Sequence, residues 1–162
     1  MNPESFDAIV VGAGQAGPAI AARCSREGLR TAVIERGAFG GTCVNVGCVP
    51  TKTLVASARA AHMARRGGEF GFDAGTVRID MTRVRARKDG IVRQSSEGVE
   101  RWMKQSPNVT VYQGHGRFEA PHSVRVNGEL LTAEQIFLNV GTRAAIPEMP
   151  GVGPGADEVP FL

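Results

Sequence analysis

The sequence has 162 residues, 42% hydrophobic and 22% charged, with a formal net charge of +3. That is enough chain for one domain with a real core, and its 21 glycines fall in short aperiodic runs, which excludes collagen. No apolar run approaches the ~18 residues of a membrane span, and Met1-Asn2-Pro3-Glu4-Ser5 lacks the regions of a signal peptide.

The Lys/Arg excess between Arg59 and Lys104 has no aromatic residues interleaved in the manner of a single-strand binder, so it reads as a solvated helix face. The expectation is a cytoplasmic protein that engages neither membrane nor nucleic acid.

Residues 6–11 are apolar and β-branched and end at Gly12, which predicts a buried parallel strand. Residues 18–27 are alanine-rich and predict a helix, with Pro18 in its first turn and Gly28 as its stop. Residues 29–35 predict a second buried strand, completing a β-α-β unit. A second helix is expected over residues 48–66, ended by Gly67-Gly68, with loop over 69–79.

Asp80 precedes a charged segment running to Gln105. Its apolar positions Val84, Ile91, Val92, Val99, Trp102 and Met103 follow helical spacing, while Gly90 and Gly98 count against one unbroken helix. Short strands are expected over 109–112, 123–126 and 129–132, the last two flanking the hairpin signal Asn127-Gly128. Residues 135–140 predict another buried strand, closing at Gly141-Thr142. The fold class is α/β, a Rossmann-like parallel sheet with a small antiparallel β-meander. It is expected to form one domain over residues 1–146, with a linker over 147–162.

Gly12-Ala13-Gly14-Gln15-Ala16-Gly17 is a G-x-G-x-x-G run between a predicted strand and a predicted helix, the context that makes it a dinucleotide-binding fingerprint. The first glycine permits the turn, the second lets a pyrophosphate approach the backbone, and the third lets helix and strand pack closely. Glu35, at the end of the second strand, is placed to accept hydrogen bonds from ribose hydroxyls. It would repel a 2′-phosphate, so FAD or NAD is expected here rather than NADP.

Cys43 and Cys48 are separated by four residues. Two inert thiols, a zinc half-site and a redox pair are all readings of that spacing. Structural zinc needs a second ligand pair, and Cys24, His62, His115 and His122 make none at ligand spacing, so no metal site is expected. Positions i and i+5 on a regular helix point to different sides. Gly47 therefore predicts an irregular loop running into the helix at Cys48, where the helix dipole favours a thiolate. Pro50 suits the first turn of that helix. Cys24 reads as a small core residue.

The segment Gly40-Gly41-Thr42-Cys43-Val44-Asn45-Val46-Gly47-Cys48-Val49-Pro50-Thr51-Lys52 resembles the active-site signature of the pyridine nucleotide-disulfide oxidoreductases, which include lipoamide dehydrogenase, glutathione reductase and mercuric reductase. The fingerprint and Glu35 stand in the same order and spacing as in that family. Phe137-Leu138-Asn139-Val140-Gly141-Thr142-Arg143 resembles its second FAD-contact motif, with Asn139-Val140-Gly141 where Ala-Thr-Gly is commoner.

The resemblance implies an FAD-binding domain and electron flow from NAD(P)H through FAD to a Cys43–Cys48 redox disulfide. From there electrons would pass to a thiol or disulfide substrate, or to a metal ion. Cys48 resembles the thiol that faces the flavin and Cys43 the interchange thiol. Lys52 resembles the lysine beside the flavin. Gly12, Gly14, Gln15, Ala16, Gly17, Glu35 and Arg36 are implied contacts of the FAD. Gly41, Thr42, Val140, Gly141 and Thr142 are implied too, with His115 and Gly116 at the adenine.

Val44, Val49 and Thr51, and residues 58–66, are more similar to mercuric-reductase-like members than to lipoamide dehydrogenases. Complete members are several times longer and homodimeric, which makes a truncated chain the expectation. The alternatives are a flavin-binding module without turnover of its own, or a fragment of lipoamide dehydrogenase or glutathione reductase type.

Overall fold

In a computed structural model that describes residues 3–143 and 145, the first apolar run forms β1 (Glu4–Val11) at the centre of a sheet. Helix α1 (Ala16–Arg26) and strand β2 (Thr31–Glu35) complete the β-α-β unit. Two consecutive helices follow, α2 (Gly41–Asn45) and α3 (Cys48–Arg65). A 3₁₀ turn over Gly67–Phe70 leads towards the long helix α4 (Met81–Gln105). Strands β3 (Val109–Gln113), β4 (Arg117–Ala120), β5 (Ser123–Val126) and β6 (Glu129–Leu138) close the fold.

Among the described residues all six strands lie in one sheet of order β3-β2-β1-β6-β5-β4. The pairs β1–β2, β1–β6 and β2–β3 are parallel, while β5–β6 and β4–β5 are antiparallel. The α/β class and the parallel sheet expected from the sequence are therefore found. The antiparallel strands extend that sheet rather than forming a separate one.

The sheet carries a core on each face. Val10 and Val33 pack with Ala21 of α1 and Met103 of α4, and Phe39 joins them. On the other side Ile9 and Ile34 meet Val124, Val126 and Leu131 of the antiparallel strands. Each fully buried Val, Leu or Ile of this kind contributes about 1.5–3 kcal/mol. Cys24 is buried in α1, as expected of a small core residue.

Several boundaries differ from the sequence expectation, each for a physical reason. The two strands expected over 129–132 and 135–140 are one strand, β6, ending at Leu138. Pairing of Phe6 with Ala133 carries the strand through its weakest stretch. Strand β4 is a wholly exposed edge strand without apolar alternation, so the sequence holds no signal for it.

Helix α4 runs unbroken through Gly90 and Gly98. Burial of Met103 holds one end, and the Asp80 side chain caps the other by accepting from the Arg83 amide. The expected loop between the cysteines is instead a short helix, α2, and a break at Val46-Gly47. The Asn127-Gly128 turn has both residues at positive φ, 51° and 87°, as a type I′ hairpin requires. The linker expected over 147–162 lies outside the described residues.

Glycine substitutions should separate contact from propensity. A Cβ on Gly17 would lie 2.2 Å from the Gly12 carbonyl oxygen, whereas one on Gly90 meets nothing within 4 Å. Gly17→Ala should cost about 1–3 kcal/mol in denaturant unfolding, and Gly90→Ala should add about 0.5–1 kcal/mol. The reverse order would contradict the packing described.

Candidate functional site

A cavity of about 830 Å³ opens at the C-terminal ends of β1, β2 and β6, where the order of the parallel strands reverses. Doubly wound sheets bind ligands at this position. Its floor is the fingerprint loop. Gly12 has φ +104°, and a Cβ there would come 2.1 Å from the Asn139 carbonyl oxygen, so β1 and the end of β6 touch through bare backbone. Gly14 is less confined: a Cβ would meet only the Asn139 side chain, at 3.3 Å.

Among the described residues the backbone amides of Gly14, Gln15 and Ala16 have no protein acceptor. They stand at the N-terminus of α1, where free N–H groups and the helix dipole favour an anion. Glu35 is held from both sides: its Oε2 accepts from the Ala13 amide at 2.7 Å and its Oε1 from the Gly37 amide at 2.7 Å. Each carboxylate oxygen keeps a lone pair for a further donor. Bare glycines, free amides and a fixed carboxylate at one cavity suit a dinucleotide.

The cysteine segment is docked on that floor. Gly41, at φ +59°, opens α2 so close to the fingerprint that a Cβ would lie 2.8 Å from Gly14 Cα. The Gly40 amide donates to the Ala13 carbonyl at 2.9 Å. Asn45 Nδ2 donates to the carbonyls of Phe39 and Gly41 at 3.0 and 2.9 Å, and Ser96 Oγ donates to Phe39 O at 2.8 Å. Cys43 then sits half-buried in the middle of α2, and Cys48 is the exposed first residue of α3.

Both thiols are free. The Cys43 thiol is held above its ordinary range. Hydrogen bonding to the Cys48 side chain is the largest cause, followed by desolvation and the like charge Cys48 would carry. The Cys48 amide and the Lys52 ammonium act in the opposite direction.

The cavity brings together most residues singled out in the sequence: Gly12, Gly14, Gln15, Glu35, Arg36, Gly41, Thr42, Cys43, Cys48, His115, Gly116, Val140, Gly141 and Thr142. Ala16, Gly17 and Lys52 are not in its lining. Gly17 is buried beneath the loop. Lys52 is exposed on α3, with its charge felt at Cys43. Val11, Ile34, Gly47, Gly114, Asn139 and Arg143 also line the cavity and were not in the expected set. Val11 and Ile34 carry no chemical signal beyond ending a strand. Asn139 and Arg143 stand inside a quoted motif and were legible there.

The sequence profile described as pyridine nucleotide-disulphide oxidoreductase matches residues 6–161. The dihydrolipoyl dehydrogenase of Acholeplasma laidlawii is 35% identical over 150 residues, covering 92% of this chain and 44% of that protein. The mercuric reductase of Staphylococcus aureus is 29% identical over 157 residues, covering 97% of this chain and 28% of that protein. The HOCl-induced flavoprotein disulfide reductase RclA of Escherichia coli, solved as a Cu(II) complex, has a TM-score of 0.74 at 31% identity. The match covers 93% of this chain and 31% of that one. The chain thus spans less than half the length of each of these relatives.

The causes acting on Cys43 set a pH test. In the reduced protein, alkylation of Cys43 should rise only above the usual thiol range. Cys48→Ala removes the main cause that raises its pKa and should move the rise to lower pH, whereas Lys52→Ala should move it higher. Site-resolved mass spectrometry across a pH series reads both, and equal profiles in all three proteins would contradict the assigned causes.

Proposed function

Because the chain belongs to the pyridine nucleotide-disulphide oxidoreductases, we propose that it forms the FAD-binding, dithiol-bearing part of a flavoprotein disulfide reductase supplied with electrons by NAD(P)H. The observation that carries this reading is the single cavity lined by both the fingerprint loop and Cys43 and Cys48. The free amides of Gly14, Gln15 and Ala16 would take the pyrophosphate and Glu35 the ribose. Arg36, His115 and Gly116 line the adenosine end, and Gly41, Thr42, Val140, Gly141 and Thr142 the remainder. When bound, FAD supplies two-electron redox chemistry.

The cysteines carry the exchange step. Two electrons and two protons convert the Cys43–Cys48 disulfide to the dithiol. Cys43, deprotonated, attacks a substrate disulfide: a bond forms between its sulfur and one substrate sulfur, and the substrate S–S bond breaks to release a thiolate. Cys48 then attacks the Cys43 sulfur, which closes the internal disulfide and releases the second substrate thiol. Lys52 favours the Cys43 thiolate through its charge.

Two neighbouring thiols also suit a soft metal ion as substrate. Relatives named mercuric reductase and solved as a Cu(II) complex support that reading. Among the described residues no group of three or more His, Cys, Asp or Glu could hold a resident metal. Homodimeric assembly is proposed for the whole protein.

The two thiols should be separable in the complete, flavin-loaded protein. Cys48→Ser should lose the long-wavelength absorbance that appears on two-electron reduction, while Cys43→Ser keeps it, and NAD(P)H-dependent turnover should fall at least 100-fold in both (about 3 kcal/mol). The opposite spectral pattern would reverse the two roles. Undiminished turnover in either variant would sink the dithiol mechanism.

A further inference from the structure

We infer that Asn139 is a positioning residue that pairs the Gly12 carbonyl inside the protein and so keeps it from repelling a diphosphate bound at the glycine loop. The inference rests on the dinucleotide reading of the cavity. Asn139 follows β6, and its amide donates to the Val11 carbonyl at 2.8 Å, which fixes its backbone against the end of β1. Its side-chain Nδ2 donates to the Gly12 carbonyl at 3.2 Å. The same nitrogen is what a Cβ would meet at 3.3 Å on Gly14 and at 3.2 Å on Gly17. One carboxamide therefore sits among all three fingerprint glycines, and Asn139 lines the cavity itself.

The loop's hydrogen bonds show what this placement does. The Gly12 amide is used by the Ile34 carbonyl at 2.7 Å, and the Ala13 carbonyl accepts from the Gly40 amide at 2.9 Å. The Ala13 amide goes to Glu35. With Asn139 on the Gly12 carbonyl, the Gly12 and Ala13 carbonyls are both paired inside the protein. The amides of Gly14, Gln15 and Ala16 remain for a ligand. Without that carboxamide the Gly12 oxygen would stand unpaired beside the anion, adding negative partial charge where negative charge is to bind. An aspartate at 139 would keep the shape of the side chain and reverse its effect, repelling both the carbonyl and a diphosphate.

Calorimetric titration of the chain with ADP, FAD and adenosine tests this in wild type, Asn139→Ala and Asn139→Asp. The alanine variant should bind ADP and FAD on the order of tenfold more weakly, and the aspartate variant more weakly still. Adenosine, which lacks the diphosphate, should bind all three proteins equally and so reports that the variants are folded. Equal weakening of ADP and adenosine would reduce Asn139 to a structural role and overturn the inference. Unchanged ADP binding would overturn it as well. A wild-type chain that takes up none of the three ligands would overturn the dinucleotide reading itself and this inference with it.

Discussion

At the end of β1, separate stretches of chain meet with almost no side chain between them. The Gly12 turn lies against the backbone of Asn139, Gly17 lies against the Gly12 carbonyl, and Gly41 lies against Gly14. A methyl group at Gly12, Gly17 or Gly41 would overlap a backbone atom, so these contacts exist only because the residues are glycine. Helix α1, the end of β6 and the cysteine-bearing helix α2 are all positioned by this one cluster. It also leaves the amides that follow Ala13 uncovered, so the packing constraint and the proposed anion site share a cause.

The proposed redox pair depends on the same cluster at one remove. Helix α2 has only five residues and cannot hold itself in place. It is pinned by the Gly40 amide, the Asn45 carboxamide and Ser96 of α4. The break at Val46-Gly47 then turns the chain so that Cys48 begins α3 with its thiol and amide both acting on the Cys43 sulfur. The two thiols accordingly differ. Cys43 is half-buried with its pKa raised mainly by hydrogen bonding to Cys48, while Cys48 is exposed at a helix N-terminus.

Much of this was legible in the residues because the signals are local. The G-x-G-x-x-G run, the apolar strands ending at Gly12 and Glu35, and the Asn127-Gly128 hairpin are each set by neighbouring residues, and the structure holds all of them. Failures came where tertiary contacts decide. Residues 129–138 form one strand because β5 pairs along 129–132 and β1 along 131–138, an overlap that no local pattern records. Exposed β4 and the five-residue α2 carry too little periodicity to be read. Asn139 was visible as a departure from a motif. Its contact with Gly12, 127 residues away in sequence, was not.

The fingerprint loop, proposed to cradle the dinucleotide, and the cysteine pair line one cavity. Titrating the reduced chain with FAD while following alkylation of Cys48 tests it most directly. Saturation at one FAD per chain and slower alkylation of Cys48 as FAD binds are expected, with no protection from adenosine alone. Binding of FAD that leaves Cys48 alkylation unchanged, or protection by adenosine equal to that by FAD, would contradict it.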